Sequence, residues 1–167
     1  MSFASLVQSV QDSGIAEWMR TSVKAMPIVE SIHVLAAATV FGTIFIVDLR
    51  LLGFPNLRRP FTRVSDELLK LTWGAFFTAL VTGVLMFAAN ANTYYGNTAF
   101  RFKMAALLLA VLNVALFRLS VYRRIDDWDV DPVPPRRVRI VGVVSIILLA
   151  LIITAGRMMA YQDYWFG

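Results

Sequence analysis

Four long apolar segments constrain the fold of this chain more than any other feature of its sequence. They cover about residues 28–52, 67–90, 99–122 and 138–161. About 20 apolar residues in helical conformation span the hydrocarbon core of a bilayer. Inside lipid, only helices and closed barrels satisfy their own backbone hydrogen bonds. The segments lack the alternating pattern of strands, so we predict an all-α integral membrane protein built as a four-helix bundle.

The composition agrees with a membrane protein and excludes several kinds of site. Apolar residues make up 58% of the 167 residues, compared with about 45–50% in an average soluble domain. Because the chain has no cysteine, it forms no disulfide, no thiolate metal site and no CxxCH haem attachment. Its single histidine excludes a cluster of histidine ligands within one chain. We attribute the net charge of +5 to basic loops rather than to binding of nucleic acid.

The first 27 residues have a different character. Val10, Ile15 and Trp18 recur at roughly helical spacing, with polar residues between them. This pattern favours one or two amphipathic helices in the membrane interface over a cleavable signal peptide, with a frayed terminus as the alternative. We therefore expect an amphipathic interfacial segment, residues 1–27, followed by a four-transmembrane-helix domain, residues 28–167.

Basic residues are concentrated in the first and third connections between the apolar segments. The first contains Arg50, Arg58, Arg59, Arg63 and Lys70, and the third contains Arg118, Arg123, Arg124, Arg136, Arg137 and Arg139. The second connection, NANTYYGNT, carries no charge. The positive-inside rule then predicts two cytoplasmic basic loops and both termini outside. An outer aromatic belt is expected from Tyr94, Tyr95, Tyr161, Tyr164 and Trp165.

This orientation brings five ionisable side chains to the outer ends of three segments: Glu30, His33, Arg101, Lys103 and Arg157. The second segment contributes a stripe at i+4 spacing that reaches the same depth, formed by Thr78, Thr82, Met86 and Asn90. Counted along a helix, His33 lies about 9 Å inward from Pro27. Ionisable groups in a membrane usually face a partner, a cavity or a cofactor. We therefore predict a polar pocket that opens outward around His33.

Each of these side chains also has a simpler interpretation. Arg101 at a helix start fits an interfacial position, and Lys103 and Arg157 could extend to the membrane surface in the same way. Glu30 could favour the positive end of the first helix or pair with Arg157. His33 could serve only as a hydrogen-bonding group between helices.

Two features of the cytoplasmic side are interpreted as structural. Asp48 and Arg50 stand where the first helix leaves the membrane, and we expect them to form a pair that ties this helix to the loop. The segment DDWDVDPVPPRR is rich in charge and interrupted by proline. We expect it to be a solvated connector rather than a binding motif.

Several short motifs resemble those of an uncharacterised family of bacterial inner-membrane proteins. They are PxxExxH at Pro27–His33, DLRLLG at Asp48–Gly53, TGxxMFA at Thr82–Ala88, FxxKM at Phe100–Met104 and AGRMMAY at Ala155–Tyr161. The resemblance covers almost the whole chain. It implies a four-helix fold in the bacterial inner membrane and no particular chemistry.

More distantly, the layout resembles the four-helix modules of CopD-type copper-resistance proteins and HemJ-type protoporphyrinogen oxidases. HemJ-type proteins bind haem b and have a histidine in an early helix and a lysine in a later one. His33 and Lys103 are the residues of this chain that correspond by layout. The resemblance therefore implies haem b as a cofactor, with His33 as the iron ligand.

Three functions remain open at this point. The first is haem b binding in a redox or porphyrin-related role such as electron transfer, with Glu30 as a hydrogen-bond acceptor or proton relay and Lys103 and Arg157 holding carboxylates. The sixth ligand would be Met86, Met158 or His33 of a second copy. The second is an accessory or assembly subunit, as a homodimer or in a larger membrane complex. The third is handling of copper or a small anion, with soft ligands from Met86, Met104, Met158 and Met159.

Overall fold

The computed structural model describes residues 3–54, 60–131 and 133–161, and all regular secondary structure in these ranges is helical. The α-helices are α1 (Phe3–Gln11), α2 (Gly14–Thr21), α3 (Ala25–Leu52), α4 (Phe61–Ala89), α5 (Ala91–Gly96), α6 (Thr98–Leu116) and α7 (Arg136–Met158). A π-helical turn and a 3-10 turn continue α6 as far as Asp127, and a 3-10 turn follows α7. Four helical stretches are long and apolar enough to cross a membrane: Ala25–Leu52, Phe61–Ala89, Thr98–Asp127 and Arg136–Tyr161. The prediction of an all-α, multi-pass four-helix bundle is confirmed.

The four long helices pack in the order α4–α3–α7–α6. Helix α3 packs along α4 and against α7, and α6 packs along α7. Helices α4 and α6 are linked by the rings of Phe87 and Phe100, whose centroids are 5.5 Å apart. We call the end of the bundle where α3 begins and α4 ends the His33 end, and the opposite end the Arg50 end.

Helix α3 ends at the glycine of the DLRLLG motif. Gly53 has a φ of 88°, a left-handed conformation that glycine adopts without a steric penalty. The N–H of Gly53 donates to the carbonyl of Arg50, and the N–H of Phe54 donates to that of Leu49. These bonds satisfy carbonyl groups that the last helical turn leaves unpaired.

Helix α4 begins at Phe61 rather than near residue 67, because a distant loop caps it. The N–H of Thr62 donates to Oδ1 of Asp129 at 2.8 Å, and its hydroxyl donates to Oδ2 at 3.0 Å. The N–H of Phe61 donates to the carbonyl of Asp129 at 3.0 Å. The first turn of a helix needs such acceptors from outside the helix, and here the loop after α6 provides them.

The same loop is packed into the protein, so the expectation of a solvated connector is wrong. Trp128 is 3% exposed and lies in a cluster with Leu51, Phe61 and Val138. Its ring centroid is 5.2 Å from that of Phe61. The preceding carboxylates, Asp126 and Asp127, are exposed, so an argument based on composition does not detect the buried tryptophan.

Asp48 and Arg50 are both buried, but they form no ion pair with each other, so the expected pair is wrong. Arg50 is 1% exposed and donates to the carbonyls of Asp129 at 3.0 Å and Asp131 at 3.3 Å. Asp48 instead lies against α7, where the side chain of Ser145 interacts with it. Among the described residues, its Oδ2 atom has no hydrogen-bond partner. Arg50 therefore ties α3 to the loop without help from Asp48.

Close contact between α3 and α7 at the Arg50 end depends on Gly142. A Cβ atom at this position would lie 3.1 Å from Cβ of Leu51 and 3.2 Å from the carbonyl oxygen of Asp48. A larger residue would push the two helices apart. Small residues at a membrane helix crossing permit this short backbone distance.

The N-terminal helices cover the His33 end of α3 and α4. Ala16 and Met19 of α2 are fully buried there, whereas Ile15 and Trp18 are more than half exposed. This two-sided character is what the amphipathic sequence predicts. Arg58 and Arg59 of the predicted basic loop, and Tyr164 and Trp165 of the predicted aromatic belt, lie outside the described residues.

Candidate functional site at His33

His33 lies in α3, partly buried, with its imidazole directed at α4. Its Nδ1 atom is 3.0 Å from Oγ1 of Thr82. The Thr82 side chain is only 6% exposed, and its oxygen lies 2.7 Å from the carbonyl oxygen of Thr78. The predicted i+4 stripe of α4 therefore contains the partner of the histidine.

The hydrogen-bond network determines which tautomer of His33 is compatible with it. A hydroxyl carries a single hydrogen, and the carbonyl of Thr78 can only accept. Both contacts are satisfied when the Thr82 hydroxyl donates to Thr78 and accepts from an N–H at Nδ1 of His33, and we assign this tautomer. The carbonyl of Ala79, a further acceptor, also interacts with the imidazole. In the neutral ring, the Nε2 atom then keeps its lone pair.

Gly83 provides the space for this arrangement. A Cβ atom at Gly83 would lie 3.1 Å from Cε1 of His33 and 3.6 Å from its Nδ1. The imidazole thus rests against the backbone of α4, with one edge held by Thr82. A side chain at this position would displace the ring.

Lys103 reaches this region from α6 and is partly buried. Its charge is close enough to interact with His33, and its Nζ atom would be 3.8 Å from a Cβ at Gly156 of α7. No described residue forms a hydrogen bond or an ion pair with its ammonium group. The structure therefore brings together His33 and Lys103 from separate helices. Lys103 has no counter-ion among the described residues.

Glu30 is on the exposed side of the same region. Its carboxylate interacts electrostatically with His33 and with Tyr94. It forms no salt bridge with Arg157, because the single ion pair among the described residues is Arg63–Glu67. Burial raises the pKa of the Tyr94 phenol above its usual value, and the charge of Glu30 raises it further.

Three stacked aromatic rings close the bundle beside these residues. The centroid of Phe100 lies 5.5 Å from that of Phe87 and 5.6 Å from that of Tyr94. The stack joins α4, α5 and α6, and it was not anticipated from the sequence. In the sequence, the only indication of this stack is that aromatic residues lie within and on both sides of the uncharged connection.

The other predicted site residues do not contact His33. Asn90 lines a cavity of about 360 Å³ between α2, α3 and α4. A second cavity, of about 400 Å³, lies along α3 and α4 beside Ala36 and Gly74. His33 lines neither of them. Met86 and Met158 are partly buried and have no described contact with His33.

The two arginines predicted at this level are exposed. The guanidinium of Arg101 donates to the carbonyl of Tyr95 and lies 5.5 Å from the centre of its ring. This geometry fits the interfacial interpretation of Arg101. Arg157 is exposed next to Gly156.

The fold and the site define a multi-pass membrane protein with a partly buried imidazole near one end of the bundle, beside an ammonium group that has no partner among the described residues. Residues 19–162 match the family of unknown function DUF6644. The chain therefore belongs to this family. No curated protein and no solved structure is significantly similar to it. The resemblance to CopD-type and HemJ-type proteins has no support from these comparisons.

Proposed function

We propose that this protein binds haem b in a membrane redox role, with Nε2 of His33 as an axial ligand of the iron. The hydrogen bond between Nδ1 of His33 and Thr82 carries this proposal. Histidines that ligate a metal almost always donate the other ring N–H to an acceptor, which orients the ring and fixes its tautomer. We assign His33 this arrangement, in which Nδ1 donates to Thr82 and Nε2 keeps the lone pair that would bind the iron.

The donor set favours haem over a bare metal ion. The described residues contain no group of three or more His, Cys, Asp or Glu side chains that could hold an ion. A porphyrin supplies four nitrogen ligands itself, so a single protein imidazole is enough. When bound, haem b would supply one-electron chemistry, and the protein would supply the ligand, its orientation and the surrounding charges.

The charges around His33 suit the carboxylates of such a group. The ammonium of Lys103 has no protein partner among the described residues, and a propionate would neutralise it. Arg157 is exposed near the same level and could bind a second carboxylate. Met86, Met158 or His33 of a second copy remain the candidates for the other axial position, the last of these in a homodimer.

We further propose that the protein lies in the bacterial inner membrane with the His33 end facing the periplasm. The basic residues of the Arg50 end support this orientation, since arginine and lysine favour the cytoplasmic side. The uncharged connection through α5 lies at the opposite end. The proposed haem site would then be reached from the periplasmic side.

An absorption spectrum tests the haem proposal. Protein purified from haem-replete cells should show a Soret band that is lost in His33→Ala and retained in Thr43→Ala. Thr43 is a matched control because it is a buried polar residue of the same helix, 6% exposed. A colourless wild-type protein, or an unchanged band in His33→Ala, would contradict the proposal. A colourless protein that co-purifies with a larger assembly would instead favour the accessory-subunit alternative.

A further inference from the structure

The cavity of about 360 Å³ at the His33 end is separate from the proposed haem site. It lies where α2, the start of α3 and the end of α4 meet, and Pro27 is part of its wall. Along α3, Pro27 is six residues and about 9 Å from His33. Its lining also includes Arg20, Val23, Met26 and Asn90.

One wall of this cavity is an arginine held in a fixed position. Nη1 of Arg20 donates to the carbonyl of Gln11 at 2.8 Å and to that of Ala89 at 3.1 Å. A guanidinium has five N–H donors, and the three on Nε and Nη2 have no partner among the described residues. Arg20 also makes no ion pair with Glu17, one turn earlier. Arg20 is exposed, but these two bonds orient its guanidinium, so it would lose less freedom than an unbonded arginine on binding an anion with two acceptor oxygens.

The remaining lining is mixed. Val23, which is 91% exposed, and the partly buried Met26 provide apolar surface, and the side-chain amide of Asn90 has no described hydrogen-bond partner. A ligand that satisfies this lining has an oxyanion at one end and an apolar body at the other.

The position of the cavity identifies where such a ligand would come from. Two candidate membrane spans, α3 and α4, begin and end beside it. Helix α2 covers it and exposes Trp18 and Ile15, by 58% and 59%. Amphipathic helices with this pattern lie at the level of the lipid headgroups, where phospholipids present their phosphates.

We propose that this cavity binds the phosphodiester of an anionic phospholipid. The free N–H groups of Arg20 hold the phosphate, Asn90 donates from the opposite wall, and the glycerol and first acyl carbons contact Met26 and Val23. A headgroup without its own cation is preferred, because a choline ammonium would compete with Arg20. The bound lipid would fasten the N-terminal helices to the bundle independently of any haem.

Binding of phosphatidylglycerol to the delipidated full-length protein, followed by native mass spectrometry, tests this site. We expect Arg20→Gln to weaken binding about tenfold or more, as expected for loss of a charge-assisted hydrogen-bonded pair. Val23→Trp should weaken it as well, because an indole at this exposed lining position would cover the opening of the cavity while the hydrogen bonds of Arg20 remain. Lys24→Gln, an adjacent exposed cation that does not line the cavity, should bind like the wild type.

Three outcomes would overturn the proposal. Equal binding by all four proteins would mean that the lipid does not occupy this cavity. Equal affinity for phosphatidylcholine would remove the role of the anionic headgroup, and displacement of the lipid by an equal concentration of inorganic phosphate would identify a free-phosphate site. The Soret band serves as the independent readout, because Arg20→Gln should leave it unchanged whether or not lipid binding is lost.

Discussion

At the scale of single residues, the hydroxyl of Thr82 defines the state of the only histidine. It links α4 to α3 through Nδ1 of His33, and the tautomer assigned above leaves the lone pair on Nε2. Gly83, the next residue, provides the room for the ring. In the TGxxMFA motif, the threonine thus hydrogen-bonds the imidazole and the glycine leaves the space that the ring occupies.

We predict that Thr82→Val lowers haem affinity by about 10–100-fold, the usual effect of removing the partner of a metal-ligating histidine. Valine keeps the shape of threonine and removes the acceptor for the Nδ1 hydrogen. Titration of the apoprotein with haem, monitored at the Soret band, measures the change.

Thr72→Val is the matched control for this variant. Thr72 is on the same helix, and its hydroxyl contacts that of Thr43 at 2.8 Å, far from His33. An equal loss of affinity in the two variants would show that packing of α3 against α4 matters rather than the hydrogen bond to the histidine.

At the scale of elements, the loop after α6 holds two helices in place. Its carboxylate at Asp129 caps α4, and its carbonyls accept from Arg50 at the end of α3. Trp128 fills the space between them. The DLRLLG motif is therefore a docking point for this loop as well as a helix terminus.

We predict that Asp129→Ala lowers the free energy of unfolding by about 1 kcal/mol, the usual cost of removing a helix cap. The carbonyl of Asp129 still accepts from the N–H of Phe61 and from the guanidinium of Arg50 after this change. Reversible unfolding in detergent measures the difference, with Asp127→Ala as the control because Asp127 is exposed in the same loop. If the two variants were equally stable, the cap would contribute nothing measurable.

At the scale of the whole molecule, orientation decides which compartment the His33 end faces. Because the chain contains no cysteine, a single introduced cysteine reports its own location. We predict that Thr93→Cys, exposed on α5, reacts with a membrane-impermeant maleimide in intact cells. Arg124→Cys, exposed at the Arg50 end, should react only after lysis. The opposite labelling pattern would place His33 on the cytoplasmic side.

The sequence by itself determined the class of fold, because the length and apolar character of four segments permit few structures in lipid. It also singled out His33, Lys103 and Thr82, since ionisable residues and polar stripes are conspicuous in apolar helices. It misjudged the loop after α6, where exposed carboxylates surround a buried tryptophan, and the pairing of Asp48 with Arg50.

Only the tertiary structure decided which of these groups meet. Whether Lys103 faces His33, whether Arg50 reaches a loop about 80 residues away and whether Asp129 extends α4 all depend on how the helices are rotated and packed. Helical periodicity places a residue at a depth in the membrane but does not choose its neighbour. The tautomer of His33 likewise follows from a contact between two helices, and it is this contact that makes the residue a candidate ligand.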